Sequence, residues 1–143
     1  MRFALHTILI VFFLSILSCK APDTNQEKLD STTTVSGTLT LYLNSRDAIE
    51  AYVCFELNEH SEDGTVKLIT RSDFIRAADY QIPFSLNFPP GTIKQQNNYM
   101  LVTTVAEDPE GKVEITTMSS PVLTHGHPSV LNMAIQPPPE PLE

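Results

Sequence analysis

The stretch from Tyr80 to Phe88 restricts the fold more than any other part of the chain. Tyr80, Ile82, Phe84, Leu86 and Phe88 alternate without a break with Gln81, Pro83, Ser85 and Asn87. Period two puts all five bulky apolar side chains on one face of a β-strand, whereas a helix would scatter them around its circumference. Pro83 has no N–H to give to a ladder, so this strand has at least one free edge there or a bulge. Pro89-Pro90-Gly91 stops it.

The same period recurs along the chain. Val35, Gly37, Leu39, Leu41 and Leu43 alternate with Ser36, Thr38, Thr40 and Tyr42. A second strand is predicted around Glu50 to Asn58, with Ala51, Val53, Phe55 and Leu57 on one face and Glu50, Tyr52, Cys54 and Glu56 on the other. Glu62-Asp63-Gly64 supplies a turn, and β-branched Thr65 to Thr70 reads as extended. Ser72 to Asp79 fits either a helical turn or an irregular crossover. Tyr99 to Ala106 starts apolar on both faces, as an interior strand does. Asp108-Pro109-Glu110-Gly111 turns the chain back into Val113 to Met118, and Ser129 to Ile135 forms a last short strand. Short strands, Gly/Pro turns and no amphipathic helix of normal length indicate one all-β domain, an antiparallel sandwich or barrel.

Residues 1–18 have a different character. Arg2 precedes an apolar run from Ile8 to Leu17, and Ser18 is the small residue before Cys19. That run falls short of the roughly 20 apolar residues a spanning helix needs, and its flanks are those of a secretory signal. Ile16-Leu17-Ser18-Cys19 looks like a bacterial lipobox. The likeness implies cleavage before Cys19, with a diacylglycerol and an N-acyl chain carried on that cysteine. One chain anchors marginally, at about 0.8 kcal/mol per buried methylene, and a second makes the attachment stable. In the sorting rule that the lipobox likeness brings with it, an Asp after the cysteine signals retention at the inner membrane, so Lys20 implies the outer membrane and a periplasm-facing domain. Residues 19–33 read as a lipidated, disordered tether, with Leu29 its only large apolar side chain. Residues 34–136 read as the β domain, and 137–143, rich in proline, as a polyproline tail.

Of 143 residues, the first 18 take only one charge with them, Arg2. The mature chain keeps 8 Lys+Arg against 17 Asp+Glu, a net charge of about −9. About 125 residues suit one domain. The acidic balance argues against nucleic acid, which needs a basic patch, and against electrostatic docking on anionic lipid. It favours partners with basic or hydrophobic segments. With Cys19 acylated, Cys54 has no partner for a disulfide, and its place inside a strand suits a small apolar side chain.

Catalytic motifs do not emerge from the sequence: it holds no nucleophile elbow, P-loop, dinucleotide fingerprint or paired-cysteine metal motif. His125-Gly126-His127 offers two imidazoles, but zinc takes three or four protein ligands, so a polar turn before the last strand is expected. Glu107, Asp108 and Glu110 lack the alternating ligands of a calcium loop and read as hairpin residues. Tyr80 and Tyr99 are each expected to put the ring in the core and the hydroxyl at its rim. No enzyme activity, cofactor, metal or small-molecule substrate is expected.

Val35-Ser36-Gly37-Thr38-Leu39, Ala51-Tyr52-Val53-Cys54-Phe55-Glu56-Leu57, Ile82-Pro83-Phe84-Ser85-Leu86, Tyr99-Met100-Leu101-Val102 and Pro121-Val122-Leu123-Thr124-His125-Gly126 follow one another in order. In that order and spacing, over roughly residues 34–136, the chain resembles the YscW/YbaY family of small bacterial lipoproteins. Where YbaY-like members carry an apolar Pro-rich segment after the first strand, this chain has polar Asn44-Ser45-Arg46-Asp47. The resemblance implies a β-sandwich with no catalytic residues. In the YscW branch it implies a pilotin, a chaperone that brings the type III secretion secretin to the outer membrane and helps it assemble. The expected partner is then a secretin subunit through its C-terminal segment, held by strand addition at a free edge or by an apolar face in a groove. The alternative is a YbaY-type accessory envelope lipoprotein without a secretin client. Of the family's features, Cys19 alone carries over as a site residue, the point of lipidation.

Overall fold

The computed structural model describes residues 24–42 and 51–136. One helix, α1 (Thr24–Ser31), precedes eight strands: β1 (Thr34–Leu41), β2 (Tyr52–His60), β3 (Val66–Arg71), β4 (Ile75–Arg76), β5 (Gln81–Asn87), β6 (Asn98–Ala106), β7 (Glu114–Val122) and β8 (Val130–Ile135). Two sheets result, ordered β5-β1-β8 and β3-β2-β6-β7, with β4 continuing the β3 edge along β2. This is the all-β sandwich that the alternation predicts.

The alternating residues form the interlayer. Val35, Leu39 and Leu41 from β1, Val53, Phe55 and Leu57 from β2, Ile82, Phe84 and Leu86 from β5, and Leu101 and Val105 from β6 are all buried. Phe55 and Phe84 stack across the two sheets with ring centroids 4.4 Å apart and planes at 18°. Burial along β5 alternates strictly, with Ile82, Phe84 and Leu86 inside. Among the described strands β5 pairs only with β1, and Thr38 stands opposite Pro83. The bonds Leu41 N–H to Tyr80 and Phe88 N–H to Thr33 fix the parity of that ladder. Even-numbered β5 residues bond to β1, so the missing N–H of Pro83 falls on the open edge, where it costs no ladder bond.

Four expectations change. β8 lies parallel to β1, with Ser36 opposite Val130 and Leu41 opposite Ile135, so the domain is not wholly antiparallel. The turn after β7 carries the chain across to the other sheet, and β8 therefore arrives running in the direction of β1. Within the expected tether, residues 24–31 are helical, and Leu29 packs against the core. Gly91 N–H bonds to the Asp30 carbonyl and Phe88 N–H to that of Thr33, tying this segment to the domain. Tyr80, just before β5, is 64% exposed although its carbonyl still bonds to Leu41 of β1, so its ring is not in the core. Cys54 is buried as expected, but its thiol is not simply apolar. It accepts from Arg71 Nε at 3.3 Å and donates to the Ser72 carbonyl at 3.3 Å.

Ser72 to Asp79 resolves as the irregular alternative, a crossover containing the two-residue β4, which pairs with Tyr52 and Val53. Asp63-Gly64 and Asp108–Gly111 make the expected turns. The Asp108 carboxylate accepts from the N–H groups of Val113 at 2.7 Å and Glu110 at 2.9 Å. The Val113 N–H, first of all, holds that carboxyl below its ordinary range. Its contribution to the hairpin is thus present at neutral pH and is lost as pH falls into the acid range.

Thr103, at the centre of β6, is fully buried, and its hydroxyl has no hydrogen-bond partner. An unpaired buried hydroxyl costs about 1–3 kcal/mol. Thr103→Val keeps the β-branched shape and removes that cost. The urea midpoint is expected to rise, by about 1 kcal/mol in stability, and a fall would show that the hydroxyl has a bonding role.

Candidate functional site

Cys19, the lipidation site read from the sequence, lies outside the described residues, as do the leader, residues 43–50 and the proline-rich tail. The geometry that bears on function is at one end of the sandwich. There α1, the loop between β5 and β6 and the turn between β7 and β8 surround a groove of about 710 Å³. That volume is in the range of binding clefts.

The apolar contribution to the groove comes from Leu29 of α1, Leu123 and Pro128 of the turn and Val130 of β8; Lys28, His125 and His127 stand among its polar groups. No carboxylate is among its described lining residues, although the chain as a whole has 17 Asp+Glu against 9 Lys+Arg. His125 and His127, expected in a polar turn, are in that turn. They form no metal cluster with other His, Cys, Asp or Glu among the described residues.

The turn is backbone-strained. Leu123 has φ 71°, His125 54° and Gly126 84°, a left-handed conformation that costs an ordinary side chain about 1–3 kcal/mol and persists only where its surroundings fix it. Here they do. Leu123 N–H bonds to the Pro128 carbonyl and His127 N–H to that of Thr124. Thr124 is buried and its hydroxyl donates to the Asn97 carbonyl at 2.8 Å.

Behind the groove is a buried polar cluster that the sequence reading missed. Glu59, near the end of β2, is 7% exposed and accepts from Asn97 Nδ2 at 2.5 Å and from the Tyr99 hydroxyl at 3.1 Å. The Tyr99 hydroxyl in turn accepts from the Lys94 N–H at 3.0 Å. The Tyr99 ring is in the core with its hydroxyl at the rim, as expected. Burial, more than any neighbour, pushes this phenol up to about 12, so it stays a neutral donor. Through Asn97, whose carbonyl also holds Thr124 of the turn, the cluster ties β2 and β6 to both loops beside the groove. One signal was available: the apolar face of β2, continued past Leu57, puts an acid at Glu59 beside the core.

A second hollow of about 530 Å³ lies between Arg71–Phe74 and Pro109–Glu110. Arg71 there pairs with Glu56 at 3.1 Å and its guanidinium sits 5.7 Å from the centroid of the Phe74 ring. These contacts fasten the β3–β4 edge, and Ser72, Asp73, Pro109 and Glu110 complete the hollow.

The described residues include no helix long and apolar enough to cross a membrane. No family model matches the chain, and no curated protein matches it. Among solved structures the chain is similar to an alternative pilotin from the type II secretion system of Vibrio cholerae. The two share 15% identity and a TM-score of 0.54, over 73% of this chain and 95% of the other. At that identity the likeness is one of fold: this sandwich is a pilotin-like fold.

Proposed function

We propose that this chain is a pilotin, a lipid-anchored chaperone that binds a secretin subunit and delivers it to the outer membrane for ring assembly. The observation that carries the reading is the pilotin-like sandwich, which spans nearly all of the known pilotin's length. The lipobox-like sequence ending in Cys19 supports it. The resemblance to the YscW branch favours a type III secretin as client, while the structural likeness is to a type II pilotin, so both secretins belong in the test. The role needs no catalytic residue, cofactor, metal or small substrate. Binding the client to a lipid-bearing domain raises the client's concentration at the membrane.

The docked helix sharpens the mechanism. Only four residues separate Cys19 from Thr24, where α1 begins. An extended chain spans at most about 3.3–3.6 Å per residue. With lipid on Cys19, α1 is held within about 18 Å of the anchor, and the groove that α1 lines is close to the bilayer. Client is thus presented at the membrane surface, not held away from it.

Deleting the gene is expected to leave secretin monomers made but mislocalised, with few heat-resistant multimers in outer-membrane fractions. Cys19→Ser is expected to release a folded domain from membranes and to restore multimers only in part. Blotting fractionated membranes for the secretins of both systems measures it. Normal multimers in the deletion strain, with secretion intact, would overturn the reading in favour of the accessory lipoprotein.

A further inference from the structure

Unpaired strand edges invite pairing with other chains, and folded proteins usually guard them with proline, charge or a bulge. Three edges of this sandwich are guarded. β5 has Pro83 with its missing N–H outward. The β3 edge has Lys67, Arg71 and a register shift opposite Leu57/Asn58. β7 has Glu114, Pro121 and a register shift opposite Val105/Ala106.

β8 has none of these. Its sequence from Val130 to Ile135 holds no charge and no proline, and its ladder with β1 runs without a register shift. The bonds Ser36 N–H to Ser129 and Tyr42 N–H to Ile135 set the parity of that parallel ladder. Leu131, Met133 and Ile135 bond to β1, which turns the N–H and C=O groups of Val130, Asn132 and Ala134 outward. All three residues are exposed, Val130 at 65%. No described strand pairs with that side.

The layers are also unequal. β5 packs over β2 and β3, so the three strands β5-β1-β8 run toward β7 against a sheet one strand wider. On that side Leu131, Ile115 and Met118 are only partly buried against the core. A fourth strand beside β8 would cover them.

Resting on the pilotin reading, we infer that an extended segment near the C-terminus of the secretin adds to the outer edge of β8 as the fourth strand of the three-stranded sheet. The segment has apolar residues at alternate positions, which face Leu131, Ile115 and Met118. It runs antiparallel to β8, the slightly more stable pairing, so its C-terminal end reaches the groove at Val130. There Lys28 and the imidazole N–H groups of His125 and His127, with no carboxylate among the described lining residues, fit an acidic residue or the terminal carboxylate. The groove and the edge form one continuous site, since Val130 belongs to both.

The experiment uses the non-lipidated mature chain and overlapping synthetic peptides spanning the C-terminal domain of the secretin encoded in the same genome. Affinity is read by fluorescence anisotropy. Ala134→Pro removes one outward N–H and spares the β1 ladder, as Pro83 does in β5. It is expected to weaken the bound peptide about tenfold, equivalent to about 1.4 kcal/mol and in keeping with one lost backbone hydrogen bond. Lys28→Glu is expected to weaken it about three- to tenfold. Amide exchange on the unsubstituted chain is a second readout that does not depend on how the proline variant folds. Peptide is expected to protect Val130, Asn132 and Ala134 and to leave the Ser85 and Asn87 amides of β5 unchanged. Equal affinity in Ala134→Pro, or protection confined to another surface, would overturn the β8 site and leave the pilotin reading standing. A dimer in light scattering with β8 protected before peptide is added would assign the edge to a second copy instead. Failure of both the peptides and the full-length secretin to bind would overturn the site and the pilotin reading together.

Discussion

Phe84→Ala is expected to remove about 3–5 kcal/mol of stability, the range for truncating a buried phenylalanine. Phe84 is at the middle of β5, 7% exposed, and its ring stacks on Phe55 of β2 at 4.4 Å. The pair is one of the contacts that join the sheets directly, and such aromatic pairs contribute about 0.5–1.5 kcal/mol beyond their buried area. Single domains have only about 5–15 kcal/mol in total, so the variant is expected to melt far earlier in urea. The slope of the transition should stay near that of the parent, which separates lost stability from a change in the unfolded state. A loss under about 1 kcal/mol, the scale of surface substitutions, would mean that the cavity refills and that the stack does not hold the layers together.

Phe84 was legible from sequence because alternating positions point one way whatever the strand pairs with, and four of the five, Ile82, Phe84, Leu86 and Phe88, do so here. The same local rule identified Val35, Leu39, Val53, Phe55 and Leu57 as inward. It failed where the cause was not local. Strand partners depend on which loops cross between sheets, so nothing in Val130–Ile135 tells that this strand lies parallel to β1. Residues 24–31 look like a tether because only Leu29 is apolar, yet one such side chain on the core, with the Asp30 and Thr33 carbonyls bonded to Gly91 and Phe88, places a short helix on the domain. Tyr80 fits the alternation but precedes the strand. Of the candidate site, the two histidines were visible as a polar turn, and nothing marked them as the wall of a groove, because Lys28 and Leu29 come from about a hundred residues earlier. The unguarded edge of β8 was equally hidden, since a strand is an edge only by virtue of what does not pair with it.

Gly37→Ala is expected to destabilise the domain by about 3 kcal/mol, the upper end of the usual cost of overpacking. Gly37 is on β1 between Phe84 of β5 and Leu131 of β8. A Cβ there would stand 1.8 Å from the Leu131 carbonyl oxygen and 2.8 Å from its carbonyl carbon. Both are backbone atoms, so no rotamer change relieves the clash. β8 has to retreat by about 1.2 Å to reach even the 3.0 Å that real Cβ contacts respect, enough to stretch its bonds to β1 beyond hydrogen-bonding length. The sign of the effect is diagnostic. Where a glycine merely occupies an ordinary backbone conformation, alanine stabilises by about 0.4–1 kcal/mol through the unfolded chain, so a gain in Gly37→Ala would show that the close approach does not exist. Urea melts give the magnitude, and amide exchange gives the place. The N–H groups of Leu131, Met133 and Ile135 should lose protection before those of Ile82, Phe84 and Leu86, since β8 detaches while the antiparallel β1–β5 pair has room to stay. The same variant should bind secretin peptide poorly, because an edge strand that has left its sheet no longer holds Val130, Asn132 and Ala134 in register to accept another.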